Sequence, residues 1–269
     1  MRLSGSGGKE FLQGQTTADF NDCGPGDLRY AAFCNPKGRV LADVLAVVID
    51  EQEILLRGRT TVMAALAEHL KPYLGFARCS LTPIDWRISC YDGSADERHA
   101  ELRFVESSLV AVTVPIGPEH IECWSAPHES QSEDLADLLW LEIKNQRARI
   151  ESQTIGSYLP QDLDYDCNAT VSFTKGCYTG QEIVARLHYR GTPKRRLHRA
   201  ETATAVVAGD TLVNAEGKTV GSIVNHCRKD QTHELLIELI PAAAVEPITL
   251  AGGHGELSRV TRCYDDSLS

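Results

Sequence analysis

Apolar positions along the chain fall into two periods. "LRYAAFCN" (28–35) and "VLADVLAVVI" (40–49) are near-continuous apolar runs joined by Pro-Lys-Gly-Arg, which predicts a β-hairpin, and "EILLRG" (53–58) adds a strand. In "TTVMAALAEHLKPYL" (60–74) apolar residues recur at the i, i+3, i+4 spacing of a helix, with Thr61 as its cap and Pro72 near its end. Upstream, "KEFLQGQTTADF" (9–20) predicts a short helix ending at Gly14. "CSLTPIDWRISCYDG" (79–93) and "LVAVTVPIG" (109–117) read as strands, and the polar section between them as surface. "SQSEDLADLLWLEIKNQRARI" (130–150) predicts a second amphipathic helix, with Leu135, Leu138, Leu139, Leu141 and Ile143 as its apolar positions. From about Leu197 the texture changes to short strands punctuated by Gly-Asp and Glu-Gly-Lys turns, the pattern of a small β-barrel or sandwich. The expected division is an α+β core over 1–192 and a β-barrel domain over 193–269.

Composition narrows the function classes. A net charge of -10 argues against a protein that coats nucleic acid or an anionic membrane over its whole surface. Apolar runs such as "VLAVVI" are too short to cross a bilayer, and the opening residues lack the apolar core of a secretory signal. The nine cysteines are scattered, with no Cys-x-x-Cys pair, so no zinc ribbon or cluster cage is expected. That usage suits a reducing compartment and predicts a cytoplasmic protein.

One cysteine stands apart. In "FTKGCYTGQEIVARLHYRGTPKRR" (173–196), Cys177 sits between glycines ahead of a predicted helix, whose apolar face is Ile183, Val184 and Leu187. "VSF" (171–173) reads as a strand leading into the turn. Thr179 to Glu182 fits a capping box, which would place Cys177 two residues before the helix, where free N–H groups and the dipole favour an anion. Lys175 adds positive charge, and both influences would lower the thiol pKa. The alternative is a structural cysteine in a turn. The basic run Arg186, Arg190, Lys194, Arg195, Arg196 and Arg199 has three readings: a carboxylate receiver, a phosphate-binding patch or a solvated face.

"KGCYTGQE" (175–182) resembles the K-G-C-Y-x-G-Q-E signature of the YgfZ-type folate-binding family, which includes mitochondrial iron–sulfur assembly factors. "FLQGQTTAD", "CNPKGRVLADV", "YLPQDLDYD", "ARLHYRGTPKRR" and "GKTVGSI" resemble other segments of that family, from about residue 5 to 265. The resemblance implies an aminomethyltransferase (T-protein)-like folate-binding α+β core with a C-terminal β-barrel. It implies tetrahydrofolate, or a one-carbon derivative, in a central channel. It further implies a role in assembling or repairing iron–sulfur proteins, including enzymes that methylthiolate tRNA. Cys177 is then the acting residue, facing the channel, and Lys175, Gly176, Tyr178, Gly180, Gln181 and Glu182 form the loop that positions it.

For the folate, the resemblance points to Asp43, Trp140, Lys144 and Arg186. Asp43 is a single acid where aminomethyltransferases carry a pair. Lys144 fills the charged position of an element whose Gly and Pro are absent here, and Trp140 lies near a folate-stacking aromatic. Family chains carry a longer segment before "FLQGQ" with an aromatic able to touch the folate, so that contact is expected to be missing or supplied otherwise. Expected partners are folate and iron–sulfur client or assembly proteins, without a membrane, and direct RNA contact is disfavoured by the overall acidity. The alternative is an enzyme, a folate-dependent aminomethyltransferase or demethylase. A lone thiol suits exchange chemistry better than holding a cluster, whose cages use four ligands.

Overall fold

In the computed structural model of the chain, the described residues are 1–93, 99–126, 135–253 and 255–264, with backbone only for 135–137. The expected surface stretch at 94–98 and the start of the second helix at 130–134 lie outside them, as does the Leu135 side chain.

The first sheet contains β1 (Arg2–Ser4), β2 (Leu28–Cys34), β3 (Val40–Val48), β4 (Glu53–Arg57) and β5 (Ser80–Thr82), in the order β2-β3-β4-β1-β5. The predicted hairpin is β2–β3, with Leu28 opposite Val47 and Ala32 opposite Asp43. Its apolar runs are continuous because β3 is covered on both faces. Side chains alternate along a strand, so Val44, Ala46 and Val48 enter the main core while Leu45 and Val47 enter a second one.

On the main-core side lie α1 (Gly8–Gln15), contributing Phe11 and Leu12, and α2 (Thr60–Leu74), contributing Val62, Met63, Leu66 and Leu70. Thr61 does not cap α2: the helix begins at Thr60 after Arg59, with no side-chain cap, and Pro72 is inside it. The other face is covered by β6 (Arg87–Asp92), β7 (Glu101–Val105), β8 (Ser108–Pro115) and β9 (His120–Ser125), ordered β6-β9-β8-β7. Val112, Val114 and Trp124 supply its share of that core. The section read only as polar surface contains edge strand β7, whose side chains are mostly exposed.

Helices α3 (Leu135–Lys144) and α4 (Gln181–Arg190) precede the third sheet, made of β10 (Arg196–Thr202), β11 (Thr211–Asn214), β12 (Thr219–Lys229), β13 (Thr232–Leu239), β14 (Ile248–Leu250) and β15 (Ser258–Arg262). Its antiparallel order is β14-β11-β12-β13-β10-β15. Leu235, Ile237 and Leu239 face this sheet's own core, whereas Leu236 joins the main core with Leu197 and Val224. Among the described residues no helix is long and apolar enough to cross a membrane.

Candidate functional site

The signature segment reaches its place without forming the predicted strand. The Val171 amide donates to Tyr165 O at 3.0 Å and the Ser172 amide to Thr17 O at 2.9 Å, so 171–173 is an irregular strap over the core. Next, the Lys175 ammonium turns inward. Its Nζ donates to the carbonyls of Gln13 and Thr16 at 2.8 Å and of Ala18 at 2.5 Å, answering oxygens at and beyond the end of α1. Burial pulls the Lys175 pKa down to about 8, against the opposing charge of Asp19. Lys175 is thus a strut rather than a cation presented to a ligand.

Tyr178 is buried as well, its ring 5.2 Å from that ammonium, and the Thr179 amide donates to Gly14 O at 3.2 Å. The expected capping box is absent: Gly180 is the N-cap of α4, with no side-chain cap bond. Gly180 has φ +84°, and a Cβ there would lie 2.5 Å from Asn35 O and 3.1 Å from Gly38 Cα. Only a glycine allows the hairpin turn and the start of α4 to touch in this way. At its other end α4 folds back over the strap. His188 stacks on Phe173 with centroids 3.6 Å apart, and the Tyr189 hydroxyl donates to Phe173 O.

Cys177 is exposed between these two anchored neighbours. It stands three residues before the N-cap, one further than expected, and Gly176 beside it has open space where a Cβ would be. The other eight cysteines are buried or half-buried. Burial pushes the thiols of Cys34 and Cys167 up to about 12 and raises Cys23, Cys79, Cys227 and Cys263 too. The Cys177 side chain is exposed to solvent and is not among the residues that line the described clefts.

The region expected to form the channel is packed with charge. Asp43, on β3, lies 2.6 Å from Arg149 Nε and accepts from the Ile150 amide at 2.6 Å. Arg57 pairs with Glu122 at 3.0 Å and Glu142 at 2.6 Å, and Arg59 with Glu142 at 2.7 Å and Glu151 at 2.9 Å. Burial alone would raise the Glu142 pKa, but Arg57, Arg59 and Arg149 outweigh it and bring it to about 2. The Arg147 guanidinium lies 4.1 Å from the Tyr30 ring centroid. Three clefts border this cluster: two of only ≈ 10 Å³, scarcely room for one water, and one of ≈ 190 Å³ lined by Arg57, Met63, Trp86 and Trp124. With Arg147 seated on Tyr30, the two small clefts beside Asp43 and Tyr30 have no room for a pteridine. Sequence reasoning missed this network, although one signal was present: Glu142 is an acid inside the apolar run "LLWLEI".

Trp140, Lys144 and Arg186 do not line the small clefts beside Asp43 and its charged neighbours. Trp140 is half-buried against the main core, with Lys229 Nζ at 3.2 Å and Lys144 Nζ at 5.0 Å from its ring centroid. Lys144 is exposed at the end of α3, and Arg186 is exposed on α4 along with Gln181's neighbour Glu182. The basic run divides. Arg195 pairs with Glu238 at 2.7 Å, Arg196 with Asp166 at 2.9 Å and Arg199 with Glu234 at 3.1 Å. Arg186, Arg190 and Lys194 point to solvent. Asp164, Asp166 and Cys167 converge closely enough for a metal, yet Arg196 and Arg262 already answer the charge of these acids.

Comparison with known proteins fits this architecture. The fold matches the glycine cleavage system aminomethyltransferase T from Bartonella henselae, with TM-score 0.69 at 14% identity over 95% of this chain and 80% of that one. Residues 1–91 match the GCVT N-terminal domain. The class is therefore an aminomethyltransferase-like α+β protein. Within it, the tRNA-modifying protein YgfZ of Aliivibrio fischeri is 25% identical over 89% of this chain and 81% of its own length. That of Colwellia psychrerythraea is 31% identical over 72% and 66%. The chain belongs to the YgfZ-type family.

Proposed function

We propose that this chain maintains iron–sulfur enzymes, among them those that methylthiolate tRNA, through the thiol of Cys177. The observation that carries this reading is the contrast within the signature loop. Lys175 and Tyr178 are buried and anchored, while the cysteine between them is the exposed one of nine. A fold that holds a small thiol outward on a rigid loop offers it to another molecule. Alone, it can exchange a sulfur species or contact iron transiently, and the client supplies the remaining ligands. The aminomethyltransferase reading is weaker, because the single acid Asp43 is paired with Arg149 and accepts a hydrogen bond from the Ile150 amide. The test is expression of the chain in a bacterial strain lacking its own YgfZ, with methylthiolated tRNA nucleosides measured by mass spectrometry. Restored methylthiolation is expected, and levels no higher than in the empty-vector strain would overturn the reading.

Tetrahydrofolate enters as the ligand the family implies, and no step is assigned to it. Any pteridine binding in the channel competes with Arg147 for the Tyr30 face. A cation–π contact of this kind is worth about 1–2 kcal/mol, so Arg147→Ala is expected to bind tetrahydrofolate roughly 5- to 30-fold more tightly than wild type in a tryptophan-fluorescence titration. Equal binding by the variant would mean that Arg147 does not compete for the site, and weaker binding that it is a ligand contact and not a plug.

A further inference from the structure

The largest described cleft, ≈ 650 Å³, lies beyond the C-terminal half of α4, between the hairpin turn and the third sheet. That is within the range of about 300–1,000 Å³ in which small-molecule sites fall. Its wall contains a carboxylate that the protein leaves half satisfied. Glu238, on β13, is 1% exposed. Its Oε1 accepts from Arg195 at 2.7 Å and from the Ser222 hydroxyl at 2.9 Å, and the Tyr158 hydroxyl lies 3.0 Å from Ser222 Oγ. Its Oε2 is buried without a hydrogen-bond partner among the described residues. An acceptor in that position costs free energy unless a donor arrives. Burial outweighs Arg195 and Ser222 and pushes the Glu238 carboxyl up to about 7, the mark of a charge incompletely met.

The rest of the lining carries three cations, Arg39, Lys194 and Arg195, against one further acid, Asp162, and is rich in hydroxyls. Arg39 and Lys194 stand at the cleft, Arg39 with its guanidinium partly exposed and 3.7 Å from Asp162, and Lys194 exposed. Thr192, Thr211 and Thr219 add hydroxyl groups. Exposed cations suit a phosphate. A buried carboxylate oxygen awaiting a donor suits a sugar hydroxyl, as an acidic side chain does when it binds a ribose 2′-OH. We propose that this cleft binds a phosphorylated ribose, with the phosphate at Arg39 and Lys194 and the ribose 2′-hydroxyl donating to Glu238 Oε2. That unit is common to a free nucleoside monophosphate and to a nucleotide within RNA. The site does not depend on Cys177 or on the function proposed above.

Isothermal titration calorimetry of the full chain at pH 8 tests it, with adenosine 5′-monophosphate, its 2′-deoxy analogue, inorganic phosphate and a short oligoribonucleotide as probes. Saturable binding of the ribonucleotide is expected. Removing the hydroxyl from the ligand, or the acceptor from the protein in Glu238→Gln, should weaken it about tenfold or more, the usual scale for a hydrogen bond to a charged group. Lys194→Ala, an exposed change that spares the fold, should weaken both nucleotide and phosphate binding. An oligoribonucleotide that binds more tightly than the mononucleotide assigns the cleft to RNA, and one that binds no more tightly assigns it to the free nucleotide. No binding by either ribonucleotide, equal affinity for the deoxy analogue, or unchanged affinity in Lys194→Ala would overturn the proposal.

Discussion

Cys177→Ser is expected to abolish restoration of tRNA methylthiolation in a strain lacking YgfZ while leaving the fold intact. The side chain is exposed on a loop whose anchors are its neighbours, so replacing sulfur with oxygen removes no packing and no buried hydrogen bond. Its effect on stability should stay within about 0.5 kcal/mol, the scale of surface substitutions away from special features. The loss of function should be complete, because a serine hydroxyl is neither a soft metal ligand nor able to carry sulfur by exchange. Urea unfolding and nucleoside mass spectrometry on the same variant separate the two effects. Full restoration by the serine variant would remove the thiol from the account.

Glu142→Gln carries the largest expected cost in stability. Glu142 takes Arg57 on one oxygen and Arg59 on the other, with Arg149 nearby at 3.9 Å. Loss of its charge leaves these guanidiniums short of a counter-ion in a buried setting, which costs about 3–5 kcal/mol. That is a large part of the 5–15 kcal/mol typical of a folded domain. Acid should act in the same direction. The Glu142 carboxyl titrates near 2 in the folded chain against an ordinary 4.5, so its stabilisation is fully present above 4.5 and is lost as pH falls from 4.5 towards 2. The shift corresponds to roughly 3 kcal/mol. Urea midpoints measured between pH 7 and pH 3 should therefore fall steeply in wild type and less steeply in Glu142→Gln. Parallel profiles for the two proteins would contradict the network's role.

The elements visible in the sequence are those fixed by local pattern. The β2–β3 hairpin shows as two apolar runs around a Pro-Lys-Gly-Arg turn, and α2 as a helical stripe whose Val62, Leu66 and Leu70 are buried. Local pattern fails where distant partners decide. Residues 171–173 look like a strand, but the Val171 and Ser172 amides are taken by the Tyr165 and Thr17 carbonyls. Thr179 has the right spacing for a cap, yet the close approach of Gly180 to Asn35 and Gly38 sets the start of α4 one residue later.

The basic run shows the same limit. Arg195, Arg196 and Arg199 are absorbed by Glu238, Asp166 and Glu234, acids 43, 30 and 35 positions away. Similarly, Arg57 and Glu142 are 85 residues apart, and no spacing rule joins them. The signature motif pointed to Cys177 as the residue to watch. Whether its lysine would face the thiol or the core depended on the three carbonyls around α1, which only the folded chain assembles.

Competitive alkylation of the intact protein near neutral pH, read cysteine by cysteine by mass spectrometry, tests the central claim most directly. Cys177 should be modified first and well ahead of Cys34, Cys167 and the other shielded thiols. If Cys177 reacted no faster than those buried cysteines, it would not be the presented thiol on which the account rests.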